Sequence, residues 1–170
     1  MTVYTRIGSP VGELLMVGEK SDGAPGGLAL SSLSMSGQRT APTITNGWIE
    51  DGAAFAQVTR QLAQYFAGER RDFGLAFTDA GSTFQRDVWQ AVELIGYGET
   101  TTYGALAKRL GVARDRIQAV GAAVGANPLL IVRPCHRVVG ADGSMRGYAG
   151  GVERKVQLLA HEGAIAPMLA

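Results

Sequence analysis

The spacing of apolar residues changes near residue 80, and this change limits the folds open to the chain more than any other feature. Residues 2–18 and 28–35 form short apolar runs broken by glycine and proline, a pattern typical of strands joined by turns. Residues 51–68, and most of the chain after residue 82, place apolar side chains three or four positions apart, as helices do. The sequence therefore predicts the α+β class, with a small antiparallel sheet and one helix followed by a mainly helical part.

The stretch 70–81 combines charged residues with glycine and separates the part with the predicted sheet and one helix from the mainly helical part. We predict an N-terminal domain over residues 1–75, a C-terminal domain over residues 80–165 and a tail over residues 166–170. Within the first domain, residues 36–50 are expected to form an exposed connection.

Helix start signals divide the C-terminal part into short helices. Ser82, followed three residues later by Gln85, predicts a capping box. Thr101 or Thr102 is expected to cap the next helix, and Asp115 the one after it. The predicted helices cover residues 82–95, 102–110, 115–125 and 152–161.

The two short helices, 102–110 and 115–125, have the spacing of a helix-turn-helix, although an αα-corner that packs a core has the same spacing. The second helix contains the string AVGAAVGA, and each glycine inside a helix costs about 1 kcal/mol relative to alanine. This cost suggests that another helix or a nucleic-acid groove approaches its backbone closely. The helix has few long polar side chains, so we expect little sequence preference if it binds DNA.

Composition excludes several classes of protein. One cysteine in 170 residues excludes an internal disulfide and a zinc site made of several thiolates. A free thiol is typical of the reducing cytosol, and neither a membrane-length apolar run nor a secretory signal is expected. Net charge is +1, so charge alone identifies no partner.

Cys135 lies between Pro134 and His136 in the string RPCHRVVG. Cysteine reacts as the thiolate, and an imidazole can accept its proton. Neighbouring residues on a strand face opposite ways, so His136 reaches the sulfur only where the chain bends or where a water bridges them. We predict a buried strand over residues 129–132 that ends in a sharp turn at the thiol. An inert buried cysteine is the alternative.

Several segments together resemble the O6-alkylguanine-DNA alkyltransferase family, also called methylated-DNA–protein-cysteine methyltransferases. The resemblance is continuous over residues 82–163 and rests on these strings: PCHRVVG, GYAGGVERK, FQRDVW, GYGETTTYGALA, AVGAAVGANP and LLAHEG. Residues 1–70 resemble, more weakly, the ribonuclease-H-like domain of that family. The resemblance implies a helix-turn-helix in the C-terminal domain and a short strand that carries the active cysteine.

The resemblance also implies catalytic roles. Cys135 would be the nucleophile and the alkyl acceptor. His136 would act as its base through a bridging water, with Glu162 orienting the imidazole. Tyr103 would bind the flipped base and act as a hydrogen-bond donor to the leaving guanine. From spacing alone, a solvated helix end is the better interpretation of Glu162, and an exposed tyrosine at a helix start is the lesser alternative for Tyr103.

Further positions are matched to substrate and DNA binding. Asn127 would brace the turn between the DNA-binding helix and the cysteine. Val138, Tyr148 and Ala149 would line the pocket. Lys155 matches a lysine near the active-site loop, although a generic surface lysine explains it equally well.

Two positions depart from the family pattern. The helix usually carries an arginine that enters the base stack, and Gln118 stands there in this chain. Compared with that arginine, Gln118 brings no charge and stacks less well on the bases. Arg116 or Arg114 would have to replace the arginine from a different face of the helix. Arg133 stands where the family has an apolar residue, so its charge must reach solvent, a phosphate or an acidic partner.

The resemblance implies direct reversal of DNA damage. An alkyl group would pass from O6 of a flipped guanine, or O4 of thymine, to Cys135. The expected partner is duplex DNA, bound through the minor groove by a cytoplasmic monomer that uses no cofactor and no metal and turns over once. A DNA-damage sensor with weak transfer is one alternative, and a thiol hydrolase acting on thioesters is another.

Overall fold

The computed structural model describes residues 1–78, 80–145 and 147–166. The chain forms two compact units, Met1–Ala80 and Gly81–Ala170. All but the first residue of the predicted tail lies outside the described residues. Among the described residues, no helix is long and apolar enough to cross a membrane.

The N-terminal unit is built on a five-stranded sheet with the order β4-β1-β2-β3-β5. Its elements are β1 (Thr2–Ile7), β2 (Leu14–Lys20), β3 (Leu28–Met35), β4 (Ile49–Glu50), α1 (Ala56–Phe66) and β5 (Ala76–Phe77). The three long strands pair antiparallel, as predicted. The sheet as a whole is mixed, because β4 and β5 add parallel pairs at its two edges. Strands of two residues are too short to leave a periodic pattern, so the sequence predicted connections there.

The core of this unit comes from alternate strand residues and from one face of α1. Helix α1 buries Val58, Leu62 and Tyr65, spaced as the sequence predicted. The buried Gln61 amide accepts from the backbone nitrogen of Gly74 at 2.9 Å and donates to its carbonyl at 3.1 Å. These two bonds fix the segment that leads into β5.

The C-terminal unit is mainly helical. Its elements are α2 (Thr83–Glu93), β6 (Thr101–Thr102), α3 (Tyr103–Arg109), α4 (Ile117–Gly125), β7 (Val138–Val139) and α5 (Val152–His161). The capping box of Ser82 and Gln85 is confirmed, and Thr102 caps α3 by accepting from the backbone of Ala105. The predicted Asp115 cap is wrong, because a 3₁₀ turn over residues 114–116 precedes α4 and Asp115 lies inside it.

Helix α4 packs against α2 and α3. It buries Val120, Ala123 and Val124, while the indole of Trp89 in α2 donates to the carbonyl of Ala123 at 2.8 Å. The α+β class is confirmed, and α3 and α4 form the predicted pair of short helices. Their arrangement places the exposed side of α4 beside the loop that follows β7.

The predicted strand over residues 129–132 is wrong. The segment is a turn in which the nitrogen of Val132 donates to the carbonyl of Leu130 at 2.8 Å, and Ile131 has a φ of 69°. A β-branched residue in the left-handed region is strained by about 1–3 kcal/mol, so surrounding contacts must hold the turn. Cys135 accordingly begins a 3₁₀ turn directly before β7, and the short strand does not itself contain it.

Candidate active site

The chain bends sharply at Cys135. The nitrogen of Cys135 donates to the carbonyl of Arg133 at 2.7 Å, with Pro134 at the centre of the turn at a φ of −81° and a ψ of 56°. Proline fixes its own φ near this value, so it favours the bend. The thiol is 4% exposed.

The amide of Asn127 connects the end of α4 to the thiol. Its nitrogen lies 3.1 Å from Sγ of Cys135 and 3.2 Å from the carbonyls of Leu129 and Arg133. Its oxygen accepts from the nitrogen of Leu129 at 3.0 Å and from Nη1 of Arg133 at 3.3 Å. One buried side chain therefore closes the strained turn and donates to the sulfur.

Burial raises the pKa of the Cys135 thiol to about 11. The hydrogen bond from Asn127 and the positive charges of Lys155 and Arg133 oppose this rise. At neutral pH the sulfur is a protonated thiol, so nucleophilic attack requires a base that removes its proton.

A second buried cluster begins at the next residue. Nε2 of His136 lies 2.8 Å from Oε2 of Glu162, and neither side chain is exposed. Arg137 donates to the same carboxylate through Nε at 2.8 Å and Nη2 at 3.0 Å, and through Nη1 to the carbonyl of Ile95 at 2.6 Å. Glu162 is thus a buried ionic partner rather than a solvated helix end.

This cluster determines which nitrogen of His136 is basic. A carboxylate accepts hydrogen bonds, so Nε2 carries the proton and Nδ1 has the free lone pair. Nδ1 is buried and has no hydrogen-bond partner among the described residues. Burial lowers the pKa of His136, and Glu162 partly opposes that effect, so the imidazole is neutral near pH 7 and can accept a proton.

Sequence reasoning missed Arg137. It was visible in the string PCHR only as one more basic residue, and nothing in its spacing indicated a buried partner 25 positions away. The signal that could have found it is the burial expected of a residue between His136 and the apolar Val138. A charge at that position needs an ionic partner.

Lys155 is fully buried, so it is not a surface lysine. Its Nζ donates to the carbonyl of Val138 in β7 at 2.6 Å. Burial lowers the pKa of Lys155 to about 8, against the opposing effect of the Cys135 charge. Lys155 therefore ties α5 to β7 and sets a titratable amine close to the sulfur.

A cavity of about 400 Å³ opens beside Tyr103. Its lining comprises Tyr103, Ile117, Gln118, Gly121, Gly140, Ser144 and Gly147. Burial, and the charge of a Cys135 thiolate, raise the pKa of Tyr103, so its phenol stays protonated at neutral pH. A Cβ on Gly147, whose φ is +88°, would lie 2.9 Å from the hydroxyl of Tyr103, which shows how closely the loop backbone meets that oxygen.

Of the remaining predicted pocket residues, Val138 lies in β7 and Tyr148 contacts His136. Val138 and Tyr148 are buried, and Ala149 is partly exposed. The ring of Tyr148 meets that of His136 edge to face, with 6.3 Å between the centroids.

The exposed side of the α3–α4 pair carries the predicted DNA-binding residues. Gln118 is exposed at the rim of the cavity. Arg116 is also exposed, and its guanidinium lies 5.7 Å from the centre of the Phe84 ring, which directs it toward α2. Exposed basic side chains also lie on α3 and on the turn between the helices: Lys108, Arg109 and Arg114.

The charge of Arg133 finds an acidic partner. Its Nε lies 3.0 Å from Oε1 of Glu93 in α2, and its guanidinium lies 4.8 Å from the centre of the Trp89 ring. Arg133 is 8% exposed. The sequence left solvent, a phosphate and an acidic partner open for this charge, and the acidic partner is Glu93.

Within the described part of the chain, no three His, Cys, Asp or Glu side chains come together as a metal site would require.

Comparison with known proteins then decides the family. Residues 2–78 match the family model "6-O-methylguanine DNA methyltransferase, ribonuclease-like domain", and residues 83–164 match the "DNA binding domain" of the same family. A methylated-DNA–protein-cysteine methyltransferase of Mycolicibacterium paratuberculosis is 44% identical over 162 residues, which cover 95% of this chain and 93% of that protein. The chain belongs to the 6-O-methylguanine DNA methyltransferase family.

Solved structures of this methyltransferase family agree with the fold. The Mycobacterium tuberculosis O6-methylguanine methyltransferase is 40% identical, with a TM-score of 0.83 over 98% of this chain and 96% of that one. Mycobacterium tuberculosis OGT in complex with DNA is also 40% identical, with a TM-score of 0.84 over 95% of this chain and 93% of that one. The family resemblance and the ribonuclease-like N-terminal domain expected from the sequence are confirmed.

Proposed function

We propose that this protein repairs DNA by accepting an alkyl group from O6 of guanine on Cys135, with O4 of thymine as a second acceptable donor. The observation that carries the proposal is the arrangement around the thiol. A buried sulfur receives a hydrogen bond from Asn127, and the neighbouring His136 is held by a buried carboxylate. Membership in the methyltransferase family supports the same reaction.

The first step is removal of the thiol proton. Nδ1 of His136 takes it, directly or through one water, and the resulting imidazolium is stabilised by Glu162 through the 2.8 Å contact at Nε2. Because Arg137 already neutralises much of the Glu162 charge, the carboxylate orients the imidazole without acting as a proton acceptor itself.

The second step is displacement at the alkyl carbon. The bond from Sγ of Cys135 to carbon forms while the bond from that carbon to O6 of guanine breaks. The electron pair of the broken bond stays on the guanine, which is left as an anion. The hydroxyl of Tyr103 donates a hydrogen bond to this anion, and the proton held by His136 returns to the guanine. The thiol proton is thereby exchanged for the alkyl group.

The product is a thioether, which thiol exchange does not reverse. Each molecule therefore acts once and needs neither a cofactor nor a metal. Duplex DNA binds the exposed side of α3 and α4 from the minor groove, and the target base is flipped into the cavity beside Tyr103. Gln118 lies next to the space that the base leaves, and Val138, Tyr148 and Ala149 surround the base.

The expected binding shows little sequence preference. The exposed basic side chains near α4 are suited to phosphates, and α4 offers few side chains that could read base edges. We expect a monomer in the cytoplasm, with residues 1–75 and 80–165 as its two domains.

Mass spectrometry tests the reaction. After incubation with a duplex carrying one O6-methylguanine, the peptide containing Cys135 should gain ~14 Da, the mass of one methylene. Cys135→Ser and an undamaged duplex are the matched controls, and neither should show the gain. An unmodified peptide from folded, reduced protein would contradict the proposal.

A second candidate is a damage sensor that binds alkylated DNA and transfers poorly. Gln118 favours it, because an exposed glutamine brings no charge to the base stack. Tight binding of the O6-methylguanine duplex with an unmodified thiol would support this candidate. Gln118→Arg should increase the transfer rate from duplex DNA and leave the reaction with a free alkylated base unchanged, if base flipping limits transfer.

A further inference from the structure

We infer that Arg133 is a positioning residue for the thiol. It holds the oxygen of Asn127, so that the amide nitrogen faces Sγ of Cys135, and it places a positive charge beside the sulfur. The inference rests on the proposed function only in so far as Arg133 would matter for repair. The effect of Arg133 on the thiol can be measured without DNA.

The guanidinium has these contacts with described residues. Nε is bound by Glu93 at 3.0 Å, Cζ lies 4.8 Å from the centre of the Trp89 ring, and Nη1 reaches Oδ1 of Asn127 at 3.3 Å. Glu93 and Trp89 both belong to α2, so this helix anchors the guanidinium while Nη1 contacts the amide. A planar fork suits this role, whereas a lysine would offer a single point charge.

The contact with Nη1 favours one orientation of the Asn127 amide. In the observed orientation the oxygen faces two donors, from Leu129 and Arg133. A flipped amide would turn its NH₂ group toward those donors and its oxygen toward two carbonyls and the sulfur. Each mismatch of a buried polar group is unfavourable, and Arg133 adds one such mismatch to the flipped state.

The positive charge of Arg133 and the orientation of the Asn127 amide both favour ionisation of the Cys135 thiol. The guanidinium opposes the rise that burial imposes on the pKa of Cys135. Other charged or titratable groups near the thiol are Lys155 of α5, Tyr103 of α3 and His136, which lies in the same 3₁₀ turn as Cys135. Glu93 is the anionic partner on α2, and its side chain is 37% exposed, so solvent screens it more than the buried guanidinium.

Alkylation by iodoacetamide over a range of pH tests the inference, because the midpoint reports ionisation of the thiol. Arg133→Met keeps an unbranched apolar stem and should raise this midpoint by about one pH unit, which lowers the rate near pH 8 by about tenfold. Glu93→Gln keeps an oxygen acceptor for Nε and should leave the midpoint unchanged or lower it. Arg6→Met is the matched control, since Arg6 pairs with Glu13 and lies over the Tyr4 ring in the other unit.

Arg133→Lys guards against a loss of folding in Arg133→Met. It retains the charge and loses the fork, so its midpoint should lie between those of the wild type and Arg133→Met. A midpoint unchanged in every folded Arg133 variant would overturn the inference. A midpoint raised equally by Glu93→Gln would also overturn it, because the ion pair rather than the Asn127 contact would then be responsible.

The two proposals fail separately. Suppose that Arg133→Met shifts the iodoacetamide midpoint while the wild type takes no methyl group from O6-methylguanine DNA. This result would support the role of Arg133 and contradict the repair function. Methyl transfer with an unshifted midpoint would do the opposite.

Discussion

Replacing Glu162 by glutamine should destabilise the C-terminal unit strongly. The carboxylate is fully buried and accepts hydrogen bonds from His136 at 2.8 Å and from Arg137 at 2.8 and 3.0 Å. An amide would leave the buried guanidinium of Arg137 without its counter-charge. It would also place an NH₂ group against a nitrogen donor.

The size of the effect follows from these contacts. Removing one partner of a buried ion pair costs about 3–5 kcal/mol. For a chain of this length each kcal/mol lowers Tm by about 2–4 °C, so a fall of about 10 °C is expected. Glu13→Gln breaks an exposed pair with Arg6 at 3.6 Å and should cost less than about 1 kcal/mol.

A double-mutant cycle separates the ion pair from other effects. Arg137→Met should also cost about 3 kcal/mol or more, because it leaves the carboxylate buried with two fewer N–H donors. The double variant removes both charges, so its cost should fall below the sum of the single costs by about 2 kcal/mol. Urea unfolding measures these free energies, followed by Trp89 fluorescence in a Trp48→Phe background; these are the two tryptophans of the chain.

Additive costs in the double variant would refute the reasoning. The reasoning would also be refuted if the free energy of unfolding of Glu162→Gln were no lower than that of Glu13→Gln. Either result would mean that the buried contacts between Glu162 and Arg137 do not hold the unit together.

The remaining predictions concern the cavity and the thiol. Gly147→Ala should lower the transfer rate at least about tenfold, because the new Cβ would lie 2.9 Å from the Tyr103 hydroxyl. Gly68→Ala controls for backbone strain, because Gly68 has a similar φ of +78° and no neighbour within 4 Å of an added Cβ. Equal losses of transfer rate in the two variants would contradict a role for the contact with Tyr103. Raising the pH from about 9 to about 11 should destabilise the wild type relative to Cys135→Ser by up to about 2 kcal/mol. The reason is that the unfolded thiol ionises in this range, while the folded thiol keeps its proton until its pKa of about 11. Urea titrations measure both stabilities, and parallel curves of stability against pH would show that the thiol is not buried as described.

Local signals in the sequence were sufficient for most of the fold. Strand β3 and helix α5 have the predicted bounds, because each carries an uninterrupted pattern between clear turns. The caps at Ser82 and Thr102 were predictable for the same reason, since a cap depends on residues three positions apart. The two-residue edge strands β4 and β5 were not, because their pairing depends on partners far along the chain.

The site shows where local patterns stop being informative. Residues 129–132 are all buried and apolar, which predicts a strand, yet the bonds from Asn127 close them into a turn. The Glu93 and Arg133 pair spans 40 positions, and the Arg137 and Glu162 pair spans 25. Nothing periodic links such partners. The sequence left an acidic partner open for Arg133 and made no prediction for Arg137, and only the folded chain identifies both partners.

The burial of Cys135 is consistent with a nucleophile that is used once. With a pKa of about 11, fewer than about one thiol in a thousand is ionised near pH 7.5. Because attack requires the thiolate, the resting sulfur is protected from stray electrophiles, each of which would consume a whole protein molecule. The groups that favour ionisation are already in place: the neutral His136, the amine of Lys155 and the amide of Asn127 held by Arg133. Under the proposed function, reactivity therefore depends on an electrophilic carbon being brought to the sulfur, which would make delivery of the base to the thiol the selective step.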